Sequence, residues 1–394
     1  MPDAVIVSAV RTPVGTFGGA LSTLPAPRLG GLAIAEALRR AGVEPAEVDE
    51  VLMGNVYSAG VGLNPARLAL LEAGLPVSVP AMTLNKACGS GLKAVALAAQ
   101  AIRLGEASVV VAGGMESMSQ APYLLPRARF GYRMGHGELV DSMLRDGLWC
   151  TTSDCHMGMT AENLVAQYEI SREEQDRFAY TSQMRARAAW ESGRFREEVV
   201  PVEVPQPRGK TLLVERDEHP RPDTTLEALA KLRPVFKDGG TVTPGNASGI
   251  NDGAAAVVVM SDAEAARRGL TPLAVIRSYA AAGVEPHIMG IGPAPAVRKA
   301  LPRAGLRLED MDLIELNEAF AGQSLAVARE LGLDLERTNV NGGAIALGHP
   351  VGASGCRVLV TLLHEMRRRH AHYGLATLCI GGGQGIAMVV ENGA

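Results

Sequence analysis

Apolar residues follow two alternating patterns in the first part of the chain. Short apolar runs at Ala4–Val10, Val48–Met53 and Ser108–Ala112 predict strands, and the last run is apolar on both faces, as in a buried sheet. Apolar residues at three- to four-residue spacing predict helices over Leu29–Ala41 and Gly89–Leu104. Strands that alternate with helices indicate an α/β fold with mixed or mostly parallel sheets.

The same alternation returns near the C-terminus. There Asp312–Leu316 and Leu375–Ile380 predict strands, and Ala294–Ala304 and Gly352–Arg367 predict helices. The order of elements therefore resembles that of the first region.

Three pairs of segments also repeat at a nearly constant offset. The segment from Ala37, ALRRAGVEPAEVDEVLMGN, is echoed from Ala300 by ALPRAGLRLEDMDLIELNE, at an offset of 263 positions. Cys88–Gly91 is echoed by Gly352–Gly355 at 264, and VVVAGG, ending at Gly114, by ATLCIGG at 268. These echoes indicate a duplicated domain, with the two equivalent helices facing each other about a pseudo-twofold axis.

The region between the repeats has a different composition. Apolar strands are missing from 119–250, and one helix is predicted over Arg172–Gly193, with Ser171 as N-cap and Glu174 completing a capping box. Asn251–Met260 returns to buried-strand composition. We therefore predict a first core repeat at 1–118 completed by 251–270, an inserted loop domain at 119–250 and a second core repeat at 271–394.

Composition and charge narrow the classes of function. The 394 residues are 47% hydrophobic and 20% charged, typical of a globular protein with two or three domains. The net charge of −4 comes from acidic and basic residues mixed along the chain, and aromatic residues make up 4%, so nucleic acid is not an expected partner. No apolar stretch approaches the ~20 residues of a membrane span, and the N-terminus lacks a basic signal region, which predicts a cytoplasmic protein without a membrane partner.

Five scattered cysteines, at positions 88, 150, 155, 356 and 379, do not form a disulfide framework. Cys150, Cys155 and His156 are close in sequence, but their spacing without a second ligand pair is a poor zinc site, and we predict no metal. A reduced protein with one or two reactive thiols is expected.

Cys88 stands before a glycine-rich helix start. The unsatisfied N–H groups and dipole of a helix N-terminus favour a thiolate and lower the pKa of a cysteine, which would suit a nucleophile. From this stretch alone, a small buried cysteine packed at a turn is the more common outcome.

Two further segments carry candidate chemistry. NVNGGAIALGHPVGASG places His349 in a glycine-rich loop before a helix, where it is well placed to accept a proton from a thiol. CIGGGQG places Cys379 at the end of a buried strand, before glycines whose N–H groups could stabilise an oxyanion, although a packed core thiol remains the alternative. Asn317, after another strand, could donate to an oxyanion or hold a water, or simply cap the next helix.

These segments together resemble the thiolase family. The resemblance covers essentially the whole chain and rests, in order, on VIVSAVRTPVG, NKACGSGLKAV, GTVTPGNASGINDGAAA, NEAFA, NGGAIALGHPVGASG and GLATLCIGGGQG. It implies a duplicated αβαβα five-layered core with an inserted loop domain. It also implies ping-pong acyl transfer between thiols, with coenzyme A and acetyl-CoA as substrates and no prosthetic group.

The resemblance assigns roles residue by residue. Cys88 resembles the nucleophile that becomes acylated, His349 its base, and Cys379 the acid/base at the α-carbon of acetyl-CoA. His349 and a water held by Asn317 resemble one oxyanion site, and the N–H groups of Cys88 and Gly381 resemble the other.

The resemblance also places coenzyme A in the loop domain. Five residues match positions that line the pantetheine tunnel, and Arg221 matches one near the adenine; the five are His156, Met157, Phe236, Ser248 and Phe320. Arg208, Lys210, Arg221, Lys231 and Arg233 supply cations for phosphates, though solvated surface is the commoner role for most of them.

CHMGMTAEN resembles the acetyl-CoA C-acetyltransferase branch, which acts on acetoacetyl-CoA, and Ser117–Gly135 resembles the loop that ties its subunits into a homotetramer, a dimer of dimers. The segment LRDGLWCTTSDC departs from the usual pattern and borders the acyl pocket, so a 3-ketoacyl-CoA thiolase of broader chain length is the alternative. A non-catalytic acyl-CoA or lipid-binding relative would be expected to lack one of Cys88, Asn317, His349 and Cys379, and all four are present.

Overall fold

The computed structural model describes residues 2–393, and the main predicted elements are found within one to a few residues of their expected limits. The strands are β1 (Ala4–Arg11), β2 (Gly15–Thr16), β3 (Glu50–Gly54), β4 (Ala81–Leu84), β5 (Val109–Ser117), β6 (Tyr123–Leu124), β7 (Val140–Asp141), β8 (Trp149–Cys150), β9 (Cys155–His156), β10 (Val202–Gln206), β11 (Lys210–Val214), β12 (Asn251–Ser261), β13 (Ala274–Gly283), β14 (Leu313–Leu316), β15 (Tyr373–Ile380) and β16 (Gln384–Asn392). The α-helices are α1 (Ala26–Ala41), α2 (Pro65–Glu72), α3 (Ser90–Leu104), α4 (Met157–Gln167), α5 (Arg172–Glu191), α6 (Leu226–Ala230), α7 (Asp262–Arg267), α8 (Pro293–Arg303), α9 (Ala321–Leu331), α10 (Ala344–Leu347) and α11 (Val351–Arg369).

One mixed sheet runs through the core in the order β14-β15-β16-β13-β1-β12-β5-β3-β4, with β2 added against β12. Within the sheet, the two halves join between β1 and β13, where Val5 pairs with Val275 and Ile6 with Ala274. Parallel pairs occur only towards the two outer edges, at β14–β15 and at β5–β3–β4, so the sheet is mixed rather than mostly parallel. Outward from the junction, β1-β12-β5-β3 is matched by β13-β16-β15-β14, as the duplication predicts.

Helices cover both halves of the sheet and fill the space between them. Apolar residues of α1 and α2 pack on the outer face of the first half, and those of α8 and α9 on the outer face of the second. The middle layer is α3 and α11, whose side chains share one core with strands from both halves. This arrangement confirms the predicted five-layered αβαβα core.

The two helices of the middle layer approach closely at their N-terminal ends. A Cβ built on Gly91 would lie 2.6 Å from the backbone nitrogen of Cys356, and one built on Gly355 would lie 2.4 Å from that of Leu92. Since Gly91 and Gly355 are equivalent in the repeat, the contact is reciprocal, and only glycine fits on either side of it. The fold thus brings the two helix N-termini together, as the echoes predict.

The segment between β5 and β12 contributes α4, α5, α6 and three two-stranded ladders that are separate from the main sheet. Helix α5 begins as predicted, because Ser171 accepts a hydrogen bond from the N–H of Glu174 and the Glu174 carboxylate accepts one from the N–H of Ser171. Between residues 2 and 393, none of the helices is both long and apolar enough to cross a bilayer.

Candidate active site

An apolar cavity of about 350 Å³ opens at the N-terminal ends of α3 and α11. Its volume lies in the range of small-molecule sites, and its wall comes from both halves of the core and from the segment between them. Eight of the eleven predicted site residues line it: Cys88, His156, Met157, Phe236, Ser248, Phe320, His349 and Gly381.

Cys88 lies just before α3, which begins at Ser90 with Gly89 as its N-cap. The residue is half-buried and lines the cavity. The backbone N–H groups of Gly381 and of Cys88 itself point at the sulfur. A place on the cavity wall with two donors at the sulfur favours the interpretation of Cys88 as a nucleophile over that of an inert packed cysteine.

The predicted low pKa of Cys88 is wrong in direction. Burial raises the pKa of the thiol, and the buried carboxylate of Glu116 adds to this, while hydrogen bonds from Gly381 and from the N–H of Cys88 oppose it without overcoming it. The helix terminus was visible in the sequence, but the apolar surroundings that outweigh it come from distant segments. Cys88 is therefore a neutral thiol near pH 7 that needs a base before it can attack.

His349 is fixed by one hydrogen bond from its backbone and one from its ring. Its backbone N–H donates to Oδ1 of Asn251 at 2.8 Å, and its Nδ1 lies 2.5 Å from Oγ of Ser354. The Ser354 hydroxyl donates its only proton to the carbonyl of Pro350, at 2.8 Å. Ser354 must then accept a hydrogen bond from Nδ1–H, which leaves the lone pair of His349 on Nε2.

His349 is also neutral. Burial, followed by the positive charge of Arg357, lowers its pKa to about 4. A neutral imidazole with a bare Nε2 lines the same cavity as a neutral Cys88 thiol, and such an imidazole can accept a proton from a thiol.

Cys379 lies behind the cavity wall, at the end of β15. It is fully buried among apolar side chains that include Met157, Met289 and Phe320. Burial, and then the negative charge of a Cys88 thiolate, raises its pKa, so Cys379 is electrostatically coupled to Cys88 and holds its proton at neutral pH. The turn that follows places Gly381 in the cavity wall.

Asn317 follows β14 and is completely buried. Its backbone N–H donates to the carbonyl of Thr377, while neither its side-chain oxygen nor its side-chain nitrogen has a partner among the described residues. The N-cap of α9 is Phe320, so the alternative in which Asn317 caps that helix is wrong. A buried amide with free donor and acceptor capacity suits a group that holds a water.

The apolar part of the cavity is built around aromatic rings. His156 and Phe236 stack at 4.5 Å between ring centroids, and Phe236 meets Phe320 edge-on at 6.4 Å. His156 has a second task, because its Nδ1 caps α4 by accepting the N–H of Gly158 at 3.0 Å. That bond leaves the proton of the neutral ring on Nε2 as a donor, and burial lowers the pKa of the ring and keeps it neutral.

The structure separates Arg221 from these residues. It lies at a neighbouring pocket of about 330 Å³ that shares only Pro244 with the cavity wall, and its backbone N–H donates to Oε1 of Gln183. Its side chain and the other four cations predicted for phosphate contacts are exposed: Arg208, Lys210, Lys231 and Arg233.

Sequence reasoning missed several residues of the site. Ser354 and Asn251 orient His349, and Met289 packs against Cys379 although it follows β13 in the second half. Glu116, buried in β5, accepts the N–H of Gly352 at 2.8 Å and so ties β5 to the first turn of α11. The sequence contained a signal for Ser354, because Ser354 is the repeat equivalent of Ser90, which lies two residues after Cys88.

A second cleft, of about 690 Å³, lies towards the C-terminal end of α11 and holds none of the candidate residues. Its charged lining consists mainly of Arg39, Arg40, Arg196, Arg367 and Arg368. Arginines 39, 40 and 368 are engaged by Glu36 or Glu365. Over residues 2–393, no group of three or more His, Cys, Asp and Glu side chains is arranged to hold a metal ion.

Comparisons with known proteins give one consistent answer. A family model of the thiolase N-terminal domain matches residues 4–263, and a model of the thiolase C-terminal domain matches residues 270–392. The chain is 63% identical over 390 residues to an acetyl-CoA acetyltransferase of Pseudomonas aeruginosa, covering 99% of both chains. Two crystal structures superpose on it: a Bacillus anthracis acetyl-CoA acetyltransferase (TM-score 0.98, 50% identity) and human mitochondrial 3-ketoacyl-CoA thiolase (TM-score 0.96, 48% identity), each over 100% of this chain and 99% of the other.

Proposed function

The chain belongs to the thiolase family, and on that premise we propose that it is an acetyl-CoA C-acetyltransferase. It condenses two molecules of acetyl-CoA to acetoacetyl-CoA and CoA, and it catalyses the reverse thiolysis. The observation that carries the proposal is the meeting of Cys88, His349 and Gly381 on one apolar cavity with Cys379 directly behind it.

In the first step Cys88 is the nucleophile. Its sulfur attacks the thioester carbonyl of acetyl-CoA while its proton passes to Nε2 of His349, which gives that proton to the departing CoA thiolate. The N–H groups of Cys88 and Gly381, which converge at the sulfur, are the donors for the developing oxyanion. The product is an acetyl thioester on Cys88, which remains activated because a thiolate is a good leaving group.

In the second step Cys379 moves the proton at the α-carbon. In thiolysis Cys88 attacks the keto carbon of acetoacetyl-CoA, the carbon–carbon bond breaks, and the Cys379 thiol protonates the departing acetyl-CoA enolate. The raised pKa of Cys379 favours this acid role, and condensation requires Cys379 to lose its proton first. In thiolysis His349, which has taken the Cys88 proton on Nε2, and a water held by Asn317 are the donors to the enolate oxygen.

The CoA arm would follow the cavity wall of His156, Met157, Phe236, Ser248 and Phe320 towards Arg221. The division into two core repeats and an inserted domain at 119–250 remains our proposal, as does a cytoplasmic location. We also propose a homotetramer, supported by a cluster of exposed apolar side chains in and just after the predicted loop: Tyr123, Leu125, Phe130, Tyr132, Met134 and Leu139.

Thiolysis of 3-ketoacyl-CoAs of increasing chain length tests the proposed substrate. We expect acetoacetyl-CoA to be cleaved with the highest kcat/KM. The 3-ketoacyl-CoA thiolase alternative is supported by the human structural match and predicts a preference for longer chains. Absence of cleavage at every chain length would reject the enzyme proposal.

A further inference from the structure

Two cysteines outside the catalytic cavity face each other across a short hairpin. In the β8–β9 ladder, Cys150 pairs directly with Cys155, and Trp149 pairs with His156. Neither cysteine lines the cavity of Cys88, and both are free thiols. This hairpin belongs to the segment that departs from the thiolase pattern, so the family's chemistry does not explain it.

The register places the two residues at disulfide distance. Directly opposite residues of an antiparallel ladder have Cα atoms about 4.5 or 5.5 Å apart, depending on the pair type. Both values fall in the range of about 4.4–6.8 Å that disulfides span. The indole N–H of Trp149 donates to Oδ1 of Asp154 at 3.1 Å and so holds the hairpin in this register independently of the sulfurs.

The two sulfurs also differ in a way that suits sequential chemistry. Cys150 is buried, which by itself raises the pKa of its thiol, but hydrogen bonds from Thr152 and Ser153 lower that pKa overall. Cys155 is more exposed, and burial followed by the charge of Cys150 raises its pKa. Cys150 is therefore the more acidic of the two thiols, and Cys155 is the neighbouring thiol that can resolve an oxidised partner.

We propose that Cys150 and Cys155 form an oxidative modification site, a dithiol that peroxide closes to a disulfide. The Cys150 thiolate attacks one oxygen of hydrogen peroxide, the O–O bond breaks, and the products are a sulfenic acid and water once hydroxide takes up a proton. The sulfur of Cys155 then displaces hydroxide from the sulfenic acid and releases a second water. Two thiols and one peroxide thus give one disulfide and two waters.

The position of the hairpin connects this site to the substrate. Leu148 and His156, which flank the two cysteines in sequence, line the catalytic cavity, and Cys150 and Cys155 pack in one apolar cluster with Met157 and Phe320. A crosslink would stop this part of the wall from moving outward. Oxidation should therefore disfavour longer acyl chains more than short ones.

Peptide mass spectrometry tests the modification directly. The Cys88→Ser variant, which lacks the proposed nucleophile, is treated with stepwise amounts of hydrogen peroxide and digested without reduction. We expect the peptide or peptides holding Cys150 and Cys155 to lose the mass of two hydrogen atoms before Cys356 or Cys379 changes, and dithiothreitol to reverse the loss. Stable sulfinic acids, crosslinks between chains, or a CoA adduct in place of the disulfide would overturn the proposal.

Two variants keep the test specific. Adding Cys155→Ser should leave a sulfenic acid on Cys150 that dimedone traps, whereas adding Cys356→Ser should leave disulfide formation unchanged. Failure of dimedone to label Cys150 would contradict the assigned order of attack.

A kinetic measurement uses the enzyme with Cys88 intact. It rests on the proposed thiolysis activity, whereas the mass measurement does not depend on that activity. The ratio of long-chain to short-chain thiolysis should fall on oxidation and recover with dithiothreitol, and this change should be absent in Cys155→Ser. Because both activities depend on Cys88, any loss of activity from oxidation of Cys88 cancels in this ratio. An equal change in both proteins would assign the effect to other thiols.

Discussion

The starts of α3 and α11 are equivalent in the repeat but perform different tasks. Both pack through a glycine, Gly91 or Gly355, and in both a serine hydroxyl donates back to a carbonyl of the preceding turn: Ser90 to Ala87 and Ser354 to Pro350. The hydroxyls differ in what they accept. Ser90 accepts the backbone N–H of Lys86, whereas Ser354 accepts Nδ1–H of His349.

The comparison shows how a symmetric scaffold can hold an asymmetric site. The first half uses its serine to shape the loop that carries Cys88, and the second uses the equivalent serine to orient the base. The packing glycines are common to both halves, and their close contact places the proposed nucleophile and base at neighbouring helix N-termini. Three substitutions and one labelling experiment test this division of labour.

The largest effect is expected from Cys88→Ser. If the first half alone supplies the nucleophile, kcat for condensation should fall by at least about 10³-fold. Nucleophile and base act as a unit, so the base that remains cannot replace the lost nucleophile. Covalent labelling by radioactive acetyl-CoA should be lost, and Cys356→Ala, away from the cavity, should retain it. Label found on Cys379 instead would reverse the assigned roles.

Gly91→Ala tests the contact between the halves. An added Cβ would lie 2.6 Å from the backbone of α11, so we expect the free energy of unfolding to fall by about 1–3 kcal/mol in urea denaturation. Gly283→Ala is the matched control, since the nearest atom to its Cβ is 3.9 Å away. Equal stability of the two variants would mean that the helices are not in close contact.

Ser354→Ala should separate the two serines by function. We expect kcat/KM to fall about tenfold, as when a group that orients a reacting side chain is removed, with a change in the pH profile because the tautomer of His349 is no longer set. Ser90→Ala should mainly lower stability, by about 1 kcal/mol for a lost hydrogen bond. Ser324→Ala, whose buried hydroxyl has no partner among the described residues, is the control. A purely structural loss in Ser354→Ala would contradict the comparison.

The smallest effect is expected in a test of the protonation states of Cys88 and His349. Burial keeps the pKa of Cys88 above its usual value and lowers that of His349 to about 4, so near neutral pH the imidazole carries almost no charge that could stabilise a thiolate. Alkylation of Cys88 by iodoacetamide should therefore rise roughly tenfold per pH unit from 7 to 8.5, as the thiolate fraction does. A rate that is flat between pH 5 and 8 would instead reveal a thiolate–imidazolium pair.

Much of the fold followed from local pattern. The apolar run of β1, the capping box of α5 and the buried strand β15 that ends before a glycine run depend on neighbours two to four residues apart, which sequence displays directly. The echoes at nearly constant offset predicted the facing helices, and the thiolase motifs predicted the family.

The sequence alone thus determined the main elements, the duplication, the family and the candidates for the catalytic residues. Only the tertiary structure decided their electrostatic state and surroundings: the raised pKa of Cys88, the tautomer of His349, the separation of Arg221 from the cavity and the facing thiols of the β8–β9 hairpin. The reason is physical. Helix and strand patterns arise from residues close in the chain, whereas burial and hydrogen-bond partners come from segments that meet only when the chain is folded.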